Sequence, residues 1–204
     1  MVQRSAIIIG ALYLPLSDIA SYGITIQLIT VIVGLAGIYT ATYQPKIVQF
    51  RVNQNDTGIK DLYLKGQVVF LLTFIICGSG LLFFGQWAME IIGSQTDLMP
   101  RSLILASICI YFLETNHSIA GSILLSKNEV PFFKASLISG GISVLLLILL
   151  FNLTNMNLWM MILAPGIAQG IYQNWKWPLV VIKELDITRR DLSRAVTGMI
   201  HFKV

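Results

Sequence analysis

The sequence predicts an all-α, polytopic membrane protein built as a bundle of six transmembrane helices. Three observations carry this reading. Hydrophobic residues fill 55% of the 204 positions and charged residues only 12%, against roughly 45–50% and about 25% in ordinary soluble domains. Several of the chain's six apolar runs approach the roughly 20 residues that a helix needs to cross a bilayer. No ten-residue stretch shows the strand-period alternation of a membrane barrel, and in lipid only helices and closed barrels satisfy their own backbone groups.

Taken in order, the first run is Ser5 to Ser17, bounded by Arg4 and Asp18. About thirteen residues at 1.5 Å each reach roughly 20 Å, short of a hydrocarbon core of about 30 Å. This helix is therefore expected to be cut short, either tilted and snorkelling or beginning inside a helix of a longer parent. The second run, Ile24 to Tyr43, closes at Pro45, a kink or hinge candidate. The join "PKIVQFRVNQNDTGIKDLYLKG" is long enough to hold an amphipathic surface helix. Gln67 to Ile92 and Ser102 to Ser126 follow, the latter broken at its centre by "ETNHS". The turn "SKNEVPFFK" leads into Phe132 to Leu153, where Gly140 and Gly141 allow close packing. Leu158 to Ile182 contains Pro165 and Gly166, a second kink candidate. Short joins such as "SDIASYG" and "NLTNMN" imply antiparallel neighbours. Residues 1–182 thus form the six-helix lobe, and 183–204 a basic, amphipathic tail that either rests on anionic headgroups or docks a partner.

The net charge of +4 does not point to nucleic acid, because the cations are spread between apolar runs instead of forming an aromatic-laced patch. They report topology instead. Arg4, Lys46, Arg51, Lys60, Lys65, Lys127, Lys134, Lys176, Lys183, Arg189, Arg190, Arg194 and Lys203 fall at one set of ends, and Arg101 falls opposite. The positive-inside rule then makes both termini and the 44–66 and 126–134 segments cytoplasmic. No cleavable signal peptide is evident. Cys77 and Cys109 lie in apolar runs without disulfide or metal spacing. The Asn-x-Ser/Thr triplets at Asn55, Asn116 and Asn152 read as accidental. No phosphate loop, nucleophile elbow or zinc signature occurs, so neither an enzyme nor a cofactor is expected.

Two stripes can carry function. In the fourth helix Glu114, His117, Ser118, Gly121 and Ser122 recur at i, i+3, i+4, i+7 and i+8. Glu114 lies near mid-membrane, where an ionised acid costs at least ~2.5 kcal/mol and needs a partner or a wet cavity. It can serve as a proton site, a cation ligand or a structural partner, with His117 as the second protonatable group. A metal is not expected, since a helical di-metal site needs a second Glu-x-x-His pair and further carboxylates. In the last helix Gln169, Gln173 and Lys176 fall at i, i+4 and i+7, an arrangement that can bind the hydroxyls and phosphates of a polar ligand. The alternative for Lys176 is to snorkel to the interface. Trp175 and Trp177 fit an interfacial aromatic belt better than a sugar platform.

The stretch "SDIASYGITIQLITVIVGLAGIYTATYQPKIVQFRV", with "FLETNHSIAGSILLSKNEVPFF" and "YQNWKWP", resembles the second half of an O-antigen or O-unit flippase. These belong to the multidrug/oligosaccharidyl-lipid/polysaccharide exporter superfamily, and the resemblance covers nearly the whole chain. It implies one lobe of a two-lobe, MATE-like fold in a bacterial inner (plasma) membrane, beginning part-way through a seventh helix. It also implies translocation of undecaprenyl-pyrophosphate-linked oligosaccharide for O-antigen or capsular polysaccharide, by alternating access against an N-terminal lobe or partner chain. In that setting Gln169, Gln173 and Lys176 would line the substrate cavity, and Glu114 with His117 would form the coupling site. A cation-coupled multidrug exporter of the same superfamily and a truncated, non-transporting membrane scaffold are the alternatives.

Overall fold

The structure, a computed structural model, describes residues 2–153 and 157–200. Every regular element within them is a helix: α1 (Val2–Gly10), α2 (Leu16–Val52), α3 (Asp56–Ile92), α4 (Arg101–Leu125), α5 (Phe133–Leu153), α6 (Leu158–Gly170), α7 (Gln173–Glu184) and α8 (Arg189–Ile200). Four of these, α2 to α5, are long and apolar enough to cross a membrane. The first predicted span is the nine-residue α1. The sixth is two pieces, α6 of 13 residues and α7 of 12.

The largest departure from expectation lies between residues 44 and 66. Instead of a loop with a surface helix, α2 runs through Pro45 to Val52, and α3 starts after a turn at 53–55. Proline inside a helix costs about 3 kcal/mol through a lost hydrogen bond and a steric clash. The residues beyond Pro45 are anchored strongly enough to offset it: Ile47 is 1% exposed and Arg51 makes ion pairs with Asp56 and Glu184. The turn is tight because Gln54 takes a left-handed φ of 53° and Asn55 caps α3, accepting from the Gly58 N–H at 2.9 Å and the Thr57 hydroxyl at 2.8 Å. The 37 residues of α2 or α3 rise about 55 Å, well beyond the roughly 30 Å of hydrocarbon. Both helices therefore project into water at their joined end.

Close approach of α2 and α3 depends on Gly66, where an added Cβ would lie 2.8 Å from Thr40 Oγ1. One face of α3 is buried through Ile59, Leu62, Phe70 and Phe74, while Ile76, Phe83 and Phe84 are each more than 60% exposed. Such an outward apolar face is solvated by acyl chains in a spanning helix. α4 packs on α2, α3, α6 and α7; α5 packs on α6; α1 wedges against α5 and α6.

The basic segments gather at one end of the bundle. There Arg51 Nη1 pairs with Glu184 at 3.0 Å, Lys127 Nζ with the same carboxylate at 2.6 Å, and Arg51 Nε donates to Ser126 Oγ at 3.2 Å. At the other end Ser21 Oγ donates to the Asp97 carbonyl, Gln86 Nε2 to Asp97 Oδ1 at 2.7 Å, and Asn152 Nδ2 to Tyr13 Oη at 3.3 Å. The three asparagines of the glycosylation-like triplets are thus in structural use: Asn55 caps, Asn152 joins α5 to Tyr13, and Asn116 accepts from Gln67 Nε2 at 3.1 Å.

The tail forms α8, which docks on α3 of its own chain. Asp191 Oδ2 accepts from the Thr188 N–H at 2.8 Å and the Thr188 hydroxyl at 2.7 Å, the carboxylate half of a capping box. It also pairs with Lys60 Nζ at 2.6 Å, and Lys60 donates to the Asp186 carbonyl at 2.8 Å. The Lys60 hydrogen bond, then those from Thr188, hold the Asp191 carboxyl well below the usual carboxylate range. A depressed carboxyl stabilises docking above the unfolded value near 4 and loses that effect as pH falls through the folded one. A spin label at Ser193→Cys, in a Cys77→Ser, Cys109→Ser background, is therefore expected to keep one mobility from about pH 5 to 8 and loosen only in stronger acid. Loosening near neutral pH would show that another group holds the helix.

Candidate functional site

The site is built where α4, α5 and α7 meet, and a break between α6 and α7 makes it. After Gly170 the chain turns through Ile171 and Tyr172, whose φ and ψ are −138° and −51°, and then resumes as α7. The Ile171 carbonyl accepts from the Trp175 indole N–H at 2.9 Å. An indole here caps a helix end that would otherwise leave a carbonyl without a partner. The kink expected at Pro165 and Gly166 is instead a continuous part of α6, with Pro165 buried.

Beside the break lies a cleft of about 230 Å³, walled by His117, Ser118, Gly121 and Ser122 of α4, Ser136 of α5 and Gln173 of α7, with Leu125 and Phe132 closing one side. Much of the α4 stripe and one of the three last-helix residues thus share one cavity. His117 Nδ1 lies 2.9 Å from Asn174 Oδ1. With that carbonyl as partner Nδ1 carries the proton, which leaves Nε2 as the ring's acceptor. Asn174 Nδ2 is buried without a hydrogen-bond partner, an open donor beside the cleft. Glu114, one turn earlier, is half-buried and within electrostatic reach of the Tyr22 and Tyr111 phenols.

The register of Gln169, Gln173 and Lys176 is interrupted by the break, so they do not form one stripe. Gln169 lies half-buried on α6. Gln173 is 2% exposed: its Nε2 donates to Ser136 Oγ at 3.1 Å and Ser139 Oγ at 3.0 Å, and its Oε1 accepts from Trp177 Nε1 at 2.7 Å. Lys176 turns instead to Tyr172, donating to its hydroxyl and lying 4.6 Å from its ring centroid. Trp177 is 5% exposed, so it belongs to the packing between α5 and α7 and not to an interfacial belt. Trp175, 51% exposed, keeps its outward position.

Sequence reasoning did not single out Asn174 or the hydroxyl seam of α5, Ser136, Ser139 and Ser143. The seam's i, i+3, i+7 spacing was the available signal. Two further amides fix the α4 wall: Gln44 Nε2 donates to the Ser122 carbonyl at 3.0 Å and Gln67 Nε2 to Asn116 Oδ1 at 3.1 Å. Among the described residues no group of three His, Cys, Asp or Glu gathers as a metal site.

Compared with protein families, curated proteins and solved structures, the chain matches none.

Proposed function

We propose that this chain is one lobe of a membrane translocator that moves a polar, lipid-linked cargo, and that it is not an enzyme. The observation that supports this reading is the cleft of imidazole, hydroxyls and amide held by helices whose outer faces are apolar. Neutral donors and acceptors of that kind exchange hydrogen bonds with sugar hydroxyls at little desolvation cost. With the resemblance to O-unit flippases, the cargo of the proposal is undecaprenyl-pyrophosphate-linked oligosaccharide, carried across a bacterial inner membrane against an N-terminal lobe or partner chain. The basic end with both termini faces the cytoplasm in this reading, and Glu114 with His117 biases the conformational equilibrium by changing protonation.

The test is made in cells that depend on the intact transporter. Ser118→Leu and Ser122→Leu, which fill the cleft, and Glu114→Gln are expected to lower surface polysaccharide and accumulate lipid-linked repeat units while protein abundance stays level. Normal polysaccharide in all three variants would defeat the site. Altered dye efflux with normal polysaccharide would favour the cation-coupled exporter.

A further inference from the structure

A second cavity lies on another face of α5 from the polar cleft. It is a groove of about 430 Å³ between α5 and α6, within the roughly 300–1,000 Å³ of ligand-sized clefts. Ala135, Ile138 and Ile142 line it from α5 and Ala168 from α6, with Trp177 behind them. The small Ala135 and Ala168 leave the space. From Lys134 to Ile142 the groove follows α5 for about 12 Å, close to one leaflet's share of a 30 Å hydrocarbon core. It opens outward along α5: Ile138, which lines it, is 62% exposed.

Its mouth is cationic. Lys134 lines it and is exposed. Tyr172, another lining residue, accepts a hydrogen bond from Lys176 Nζ, which puts a second ammonium beside the groove. At the same end of the bundle Arg51, Lys60, Lys65 and Lys127 pair with carboxylates, while Lys46 and Lys183 do not pair with any described residue but lie outside the groove's lining. Among the described residues neither Lys134 nor Lys176 has an ion-pair partner. An apolar channel one leaflet deep, with two uncompensated ammonium groups at its head, complements a lipid with a net-anionic phosphate headgroup.

We infer that the α5–α6 groove seats an acyl chain of an anionic phospholipid, whose phosphate is held by Lys134 and Lys176. This gives Lys176 a ligand separate from the cargo of the polar cleft, and the inference stands whether or not that cargo is a glycan. Lys134 supplies a mobile ammonium on an apolar stem. Lys176, steadied by the rings of Tyr172 and Trp177 at 4.6 and 5.7 Å, supplies a positioned one.

The experiment uses the full chain in lipid nanodiscs, with Trp87 and Trp159 replaced by Phe and the Trp177 signal taken as the difference from a Trp177→Phe companion, so that the Trp175 cap stays in place. Phosphatidylglycerol brominated on its acyl chains is expected to quench Trp177 several-fold more than equally brominated phosphatidylcholine at the same mole fraction. Lys134→Gln, at an exposed position, should remove that preference, and Ala168→Phe should abolish quenching by both lipids. Excess inorganic phosphate should leave the quenching unchanged, because the chain anchors the headgroup. Equal quenching by the two lipids, a preference that survives Lys134→Gln, or loss of the preference in phosphate each overturns the proposal; the last would mark a simple anion site.

Discussion

Glu184→Gln is expected to lower stability by about 1–3 kcal/mol, between the 3–5 of a broken buried pair and the 0–1 of a surface pair. Glu184 closes α7, and a carboxylate at a helix C-terminus opposes the helix dipole. It holds that place because Arg51 at 3.0 Å and Lys127 at 2.6 Å approach it from α2 and from beyond α4. The side chains of Arg51 and Glu184 are 18% and 19% exposed, so water screens the pair only partly. Without the carboxylate Arg51 keeps Asp56 at 3.4 Å, but that partner is 66% exposed and compensates weakly. A double-mutant cycle of Glu184→Gln and Arg51→Gln, followed by thermal unfolding in detergent, isolates the coupling. Coupling below about 0.5 kcal/mol would show that the Arg51–Glu184 pair does not pin α2 to α7.

That pin belongs to a part of the molecule the sequence foreshadowed in one respect only. The spread of Arg51, Lys60 and Lys127 between apolar runs placed their segments together, and the structure gathers them around Glu184 and Asp191. What carries them there was not legible, since the second apolar run closes at Pro45 and that proline reads as a kink or hinge. Whether a helix survives a proline depends on what its far side binds, here the buried Ile47 and the paired Arg51, and those partners lie far away in sequence. In α4 the polar stripe was legible because 3.6-residue periodicity is local, and four of its five members wall the cleft. Periodicity failed in the last helix because it assumes an unbroken register. Gly170 before the break and Pro178 after it were the visible signs, but the Trp175 indole that caps the exposed carbonyl acts only once the chain has turned. Trp177 was misplaced for a related reason. Its N–H finds Gln173 four residues earlier, and a tryptophan with a satisfied N–H can be buried like any other large apolar group.

Gln173→Leu is the second change with a large expected effect, a loss of about 2–3 kcal/mol. Leucine fills a similar volume, so the cost comes from polar partners and not from a cavity. Trp177 Nε1, in a residue 5% exposed, loses its acceptor, and a buried donor without a partner costs about 1–3 kcal/mol. Ser136 and Ser139 lose a shared donor but suffer less, because each hydroxyl can turn towards a carbonyl of its own helix, as Ser139 Oγ already does towards Ser136 at 3.3 Å. The asymmetry gives the decisive measurement. Removing both partners together costs less than stranding one, so Gln173→Leu with Trp177→Phe should regain part of the lost stability in the same unfolding assay. No rescue, or a loss under about 0.5 kcal/mol for Gln173→Leu alone, would mean that the amide does not join α7 to α5. A stable double variant that fails to translocate, beside a Trp177→Phe variant that still does, would assign Gln173 both tasks, since the side chain that fastens the two helices also forms the cleft wall.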